Sequence, residues 1–218
     1  MSRIAKLMAR MEREAIMNTL EKARKHPGSF AADDLERLHE ALQDPGIADH
    51  LGEGDELAIN NYGALCISSK SVPFLDIDTQ ERSPLRLLQT DLGNAGLGGR
   101  LYRTRKGYRI ALQQQLSAEE LFSRYLPESR LDAYGIDRSY ALFCQELGNY
   151  RARCSAKPWR IVRRGYERLS QYERWGKYPV VAYVESFGTL GDVTPHWERV
   201  MECHDAIGRC TTSQITLY

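Results

Sequence analysis

The chain has 218 residues, 42% of them hydrophobic and 27% charged, with a formal net charge of +1. That is enough apolar material for a sizeable core, which excludes a globally disordered chain. The near-neutral balance neither marks nor excludes a nucleic-acid binder. Cys66, Cys144, Cys154, Cys203 and Cys210 form an odd set with no CxxC pair, a poor disulfide framework and a poor zinc site, so reduced thiols are expected.

In chain order, Ile4, Leu7, Met8, Met11, Ala15 and Leu20 follow helical spacing, and "HPGS" at 26 to 29 stops the helix. A second helix is predicted over Ala32 to Gln43, ended by "DPG". Residues 1–50 are therefore expected to be a helical segment, and 51–218 the main domain. "ELAINNY", "ALCIS" and "VPFLDI" read as short strands, "SPLRLLQTDL" as a helix, and "GNAGLGG" (93 to 99) as a flexible connection. "RLYRT" and "GYRIAL" predict a hairpin closed by "RK". Ser117 with Glu120 is a capping-box pattern that starts a helix toward Tyr125, and a further helix is predicted over Arg138 to Leu147. "YRARCS" and "WRIVR" read as strands, "GYERLSQYERWG" as a charged helix, "YPVVAYVE" as a strand and "SQITLY" as a last one. Between those last two, Thr194 before Pro195 predicts a helix by its N-cap and first-turn preferences. The predicted class is α+β, with mixed, mostly antiparallel sheets flanked by helices. The N-terminus lacks the apolar stretch of a signal peptide and no run reaches membrane-spanning length, so a soluble cytoplasmic protein without a membrane partner is expected.

Charge is unevenly placed. Arg151 to Lys177 holds nine Arg/Lys against two Glu, a local +7 that leaves about −6 on the remainder. A second basic cluster comprises Arg100, Arg103, Arg105, Lys106 and Arg109. In the first, arginines alternate with aromatics, as in proteins that hold single strands by phosphate contact and stacking. Arginine stems covering an aromatic core would give the same pattern.

Asp76 and Asp78 end the apolar run "VPFLDID". Residues i and i+2 of a strand share a face, so the two carboxylates would project side by side. They repel unless a cation lies between them, and Mg²⁺ or Mn²⁺ favours oxygen ligands. A solvated strand end is the competing reading. A dehalogenase-type phosphatase is one alternative for a DxD at a strand end, but Gln80 stands where that pattern needs Thr or Val. His196 and Cys203 would lie about 10 Å apart on a helix, too far for one zinc ion. Cys154, flanked by Arg153 and Lys157, is the thiol whose neighbours favour a lowered pKa.

The ordered motifs go further. "FLDID" resembles the first motif of the archaeo-eukaryotic primase superfamily. "LYRTRKGYRIAL" (101 to 112) resembles its second, a strand–turn–strand with Thr, Gly and a basic residue. "GIDRSYALFCQELGNYRARCSAKPWR" (135 to 160) is similar to its third region. The resemblance covers about residues 57 to 165. It implies an RRM-like catalytic core in which Asp76, Asp78 and Asp137 hold Mg²⁺ or Mn²⁺. Arg103, Thr104, Lys106 and Arg109 would hold nucleotide phosphates; Arg151, Arg153, Lys157 and Arg160, with Asn149, would grip nucleotide or template. The implied activity is a metal-dependent nucleotidyltransferase, taking a nucleoside triphosphate and a single-stranded DNA or RNA template. A helicase or primase accessory protein would be the partner of the N-terminal helices. The family's second motif normally ends in a histidine. Here Arg109 and Ile110 occupy that place, and no histidine occurs between His50 and His196. A degenerate primase-like module that binds nucleic acid or a nucleotide is the alternative that follows.

Overall fold

The computed structural model describes residues 51, 54–59, 64–154 and 179–212. The predicted N-terminal helices, "WRIVR", "GYERLSQYERWG" and "SQITLY" lie outside the described residues, as do Lys157 and Arg160.

Two sheets carry the fold. Strands β1 (Asp55–Ile59), β2 (Leu65–Ser69) and β6 (Tyr150–Arg153) form the first, in the order β1-β2-β6. Strands β3 (Phe74–Ile77), β4 (Gly99–Thr104), β5 (Tyr108–Leu112) and β7 (Val181–Phe187) form the second, in the order β3-β5-β4-β7. Every ladder is antiparallel; the one parallel contact among the described residues is the isolated bridge from Ala182 to Thr211. Helices α1 (Arg82–Asn94), α2 (Ala118–Glu120), α3 (Glu128–Tyr134), α4 (Arg138–Leu147) and α5 (Pro195–Ile207) complete an α+β architecture. Among the described residues, no helix is long and apolar enough to cross a membrane.

The predicted caps form. Ser117 Oγ accepts from the Glu120 amide at 3.1 Å, and Thr194 Oγ1 from the Trp197 amide at 3.2 Å, each occupying a donor that the first helical turn leaves free. The expected helix toward Tyr125 is only three residues of α-helix, followed by a π-helical turn over Leu121–Tyr125. Helix α3 has no counterpart in the predicted elements. Its seven residues are too few to show a period, and Pro127 before it reads as a breaker.

The glycine run differs from expectation. It is a point of close backbone approach rather than a loose connection. A Cβ on Gly98 would stand 2.5 Å from the Thr189 carbonyl oxygen, so only glycine lets the 188–194 loop lie against the start of β4.

Alternation along β3, β4 and β5 sets two faces. Phe74, Asp76, Tyr102 and Arg109 share one face, toward α5, where His204 stacks on Phe74 at 5.4 Å between ring centroids and meets Tyr102 edge-on at 4.9 Å. Leu75, Ile77, Leu101 and Ile110 share the other and join one apolar cluster with Leu85, Leu88 and Leu92 of α1. The first sheet contributes Ile67, Tyr150 and Ala152 to the same cluster.

Candidate phosphate site at the end of the four-stranded sheet

The three motifs of the resemblance meet around residues 76–79. Strand β5 lies directly beside β3, with Asp76 opposite Arg109. The β4–β5 turn folds over the end of β3, and Gln80 Nε2 donates to the Arg105 carbonyl at 3.3 Å. A Cβ on Gly107 would overlap the Ile77 carbonyl oxygen, so this turn closes only with glycine there. On the far edge of β3, Ile77 bridges Ile136 and the Asp78 amide donates to the Gly135 carbonyl at 2.9 Å. Gly135 has φ +70° and ends α3 in the left-handed conformation. A side chain there would crowd Thr79 Cγ2 at 2.7 Å. The two glycines therefore let chain segments close on Asp76–Thr79 from both sides.

The antiparallel bridge at Ile136 places Asp137 opposite Asp76 along the edge of β3. The carboxylates, however, have other partners. Asp76 Oδ1 accepts from Arg109 Nε at 2.7 Å and Oδ2 from Arg109 Nη2 at 3.3 Å, a bidentate ion pair. Asp137 is the N-cap of α4, its Oδ1 accepting from the Ser139 amide at 2.8 Å. Asp78 is exposed. Among the described residues, no three His, Cys, Asp or Glu side chains gather where a metal could be held. The residues present do not fit the implied Mg²⁺ or Mn²⁺ centre.

Arg109 does not face a ligand either. Its side chain is 1% exposed, and four of its five N–H groups are spent. Besides Asp76, Nη1 donates to the Arg153 carbonyl at 2.7 Å and to His204 Nε2 at 3.3 Å. Burial alone would favour the neutral guanidine, but the Asp76 carboxylate outweighs it and raises the Arg109 pKa further. Arginine has no acceptor, so His204 Nε2 must accept, and the ring proton sits on Nδ1, which donates to Asp205 Oδ1 at 2.8 Å. Asp205 Oδ2 in turn accepts from the Tyr102 hydroxyl at 3.3 Å and lies 3.6 Å from Arg100 Nη1. A polar chain thus runs from Asp76 through Arg109 and His204 to Asp205. His204, Asp205 and Tyr102 do not figure in the site that the sequence predicts. The adjacent His and Asp in "CHDA" are the available signal, but nothing in sequence ties them to residue 109.

The remaining predicted cations divide into two groups. Arg103 and Thr104 are half-buried, and Arg105 and Lys106 are exposed at the turn. Thr104 Oγ1 accepts from the Gly107 amide at 3.2 Å, which closes the turn. Arg151 and Arg153, on β6, are half-buried and share a face, opposite Ser68 and Cys66 of β2. Burial depresses the pKa of both, and for Arg153 the Arg109 charge adds to that while Asp76 opposes it. Both remain cations at neutral pH. Asp76 therefore stands among more positive charge than it neutralises. Cys154 lacks the lowered pKa expected of it: burial pushes it up to about 11 despite Arg109 and Arg153.

Two outcomes follow. Asp76→Ala strands a buried guanidinium and is expected to cost about 3–5 kcal/mol in urea unfolding. The double variant Asp76→Ala/Arg109→Met is expected to regain much of that loss, and equal stability of the single and double variants would refute the account. Burial holds His204 below its usual pKa. Below about pH 6.5 the unfolded chain then binds a proton that the folded one refuses. Stability is full above that pH and falls as pH drops, by up to about 1.4 kcal/mol per unit. His204→Gln is expected to flatten that slope in unfolding curves taken from pH 7.5 to 5.

Neither a protein-family model, nor a curated protein, nor a solved structure matches the chain.

Proposed function

We propose that the chain is a primase-like module that binds the phosphates of a nucleic acid or nucleotide at the end of its four-stranded sheet. The observation that carries this reading is the convergence of the basic β4–β5 turn, Arg153 of β6 and the Asp76–Arg109 pair on one short segment, residues 76–79. Arg105 and Lys106 are exposed there and carry two positive charges toward solvent. Arg151 and Arg153 open the +7 stretch that continues to Lys177. Phosphate oxygens are the ligand chemistry that such an excess of guanidinium and ammonium recognises. The pairing of Asp76 with Arg109 favours the binding reading over turnover, because that carboxylate already has its cation.

One observation keeps the nucleotidyltransferase reading in view: the bridge register that sets Asp137 opposite Asp76. The two readings separate in one experiment on the full chain. A fluorescent oligonucleotide is titrated at several salt concentrations, and nucleotide incorporation on a primed single strand is followed in parallel with Mn²⁺. The binding reading expects salt-dependent binding without incorporation. Arg105→Ala/Lys106→Ala is expected to reduce the slope of log K against log salt by about 0.7 for each phosphate that is no longer neutralised. Incorporation that Asp137→Ala abolishes would replace binding by catalysis, and salt-independent or absent binding would refute both.

A further inference from the structure

We propose that Ser71 is a nucleophile that takes the acyl group of an ester, with His196 as its general base. The proposal is independent of the phosphate-binding reading. Three segments build the site. Ser71 lies in the connection between β2 and β3, His196 is the second residue of α5, and Asp55 is the first residue of β1. The register sets Asp55 opposite Ser69, two residues before Ser71. Ser71 Oγ and His196 Nε2 are 3.1 Å apart, a separation at which the hydroxyl can pass its proton to the ring.

Asp55 supplies the second observation. Its side chain is 1% exposed, and its Oδ2 lies 3.1 Å from the same Nε2. Yet that oxygen has no hydrogen bond among the described residues. A buried carboxylate oxygen without a donor is costly and rare. The missing donor forms when Nε2 takes the Ser71 proton, because the new N–H of the imidazolium then has a carboxylate oxygen within reach. The interaction is stronger after proton transfer than before it, which is the kind that lowers a barrier. Asp55 meets the nitrogen that receives the proton, so it acts on charge rather than on ring orientation. Burial raises its pKa, while hydrogen bonds from Ser69 and the Lys70 amide and the neighbouring His196 and Arg199 oppose that shift and favour the carboxylate. His196 is 21% exposed and Ser71 is half-buried, so a reagent reaches both from solvent.

In the reaction, Ser71 Oγ bonds to the ester carbonyl carbon and its proton passes to Nε2. The bond from that carbon to the leaving oxygen breaks, and the departing oxygen collects the proton from Nε2. Water, deprotonated by the same nitrogen, then releases the acid and restores the hydroxyl. The competing account is a hydrogen bond that only ties α5 to the β2–β3 connection; it predicts an unreactive serine.

The test treats the full chain with an alkyl fluorophosphonate, which leaves a stable adduct on an activated serine, and follows p-nitrophenyl acetate hydrolysis in parallel. Peptide mass spectrometry is expected to place the adduct on Ser71 and not on an exposed serine such as Ser123. Ser71→Ala is expected to abolish both signals, and His196→Gln to slow both by about 100-fold or more. Asp55→Asn keeps the shape and removes the charge. It is expected to slow hydrolysis and to move its rise with pH to lower pH, which a merely structural carboxylate would not do. A wild type without the adduct on Ser71, a folded His196→Gln that reacts as fast as wild type, or a folded Asp55→Asn with the wild-type pH profile overturns the proposal. Should His196→Gln not fold, the site of labelling in wild type and the Asp55→Asn profile decide.

Discussion

The buried ion pair of Asp76 and Arg109 is the constraint around which the described structure is arranged. A guanidinium sealed from water needs a compensating charge and acceptors for its N–H groups, or the fold loses several kcal/mol. Here the acceptors come from distant parts of the chain: the Asp76 carboxylate on β3, the Arg153 carbonyl on β6 and His204 Nε2 on α5. One side chain on β5 thereby fixes the neighbouring strand, the edge of the other sheet and the closing helix. Removing the charge would leave these groups with no reason to stay in register.

Helix α5 answers that constraint from the other side. Near its C-terminal end His204 supports Arg109; at its N-terminal end His196 Nε2 lies 3.1 Å from both Asp55 Oδ2 and Ser71 Oγ. Asp55 belongs to β1, and burial raises its pKa against the opposing hydrogen bond from Ser69 and the neighbouring His196. One helix therefore sets a histidine beside each sheet. Between them, Trp197 donates to the Leu112 carbonyl at 2.8 Å, and Val200 and Met201 fill the interface. Apolar packing supplies the area and the two histidines supply the alignment.

Much of this is legible locally and little of it globally. The hairpin of "RLYRT" and "GYRIAL", the caps at Ser117 and Thr194, and the helix over Arg138–Leu147 are set by neighbours within a few residues, and they stand where sequence places them. Arg109 reads as a phosphate ligand because it belongs to a basic cluster and to the second of the motifs that carry the resemblance. Its burial depends on Asp76 and on His204, which are 33 and 95 residues away. The same holds for Cys154, whose basic neighbours in sequence suggest a reactive thiol. Only the packed sheet shows that desolvation outweighs them. Gly98 reads as slack for a similar reason, since the carbonyl it admits belongs to Thr189, 91 residues on.

A single position also shows why motif order alone does not decide chemistry. A carboxylate that binds a divalent cation needs lone pairs free and positive charge kept at a distance. A carboxylate that anchors an arginine needs the opposite. Asp76 meets the second requirement, with both oxygens on Arg109 and Arg153 within electrostatic reach. His204 reaches this neighbourhood from α5. It arrives behind Arg109, buried and accepting a proton donor, so it cannot present itself to a phosphate. Arg109 thus engages both groups at once: it pairs with the acid and donates to the imidazole. Arg105 and Lys106 remain exposed at the turn. The central carboxylate of this site serves the fold.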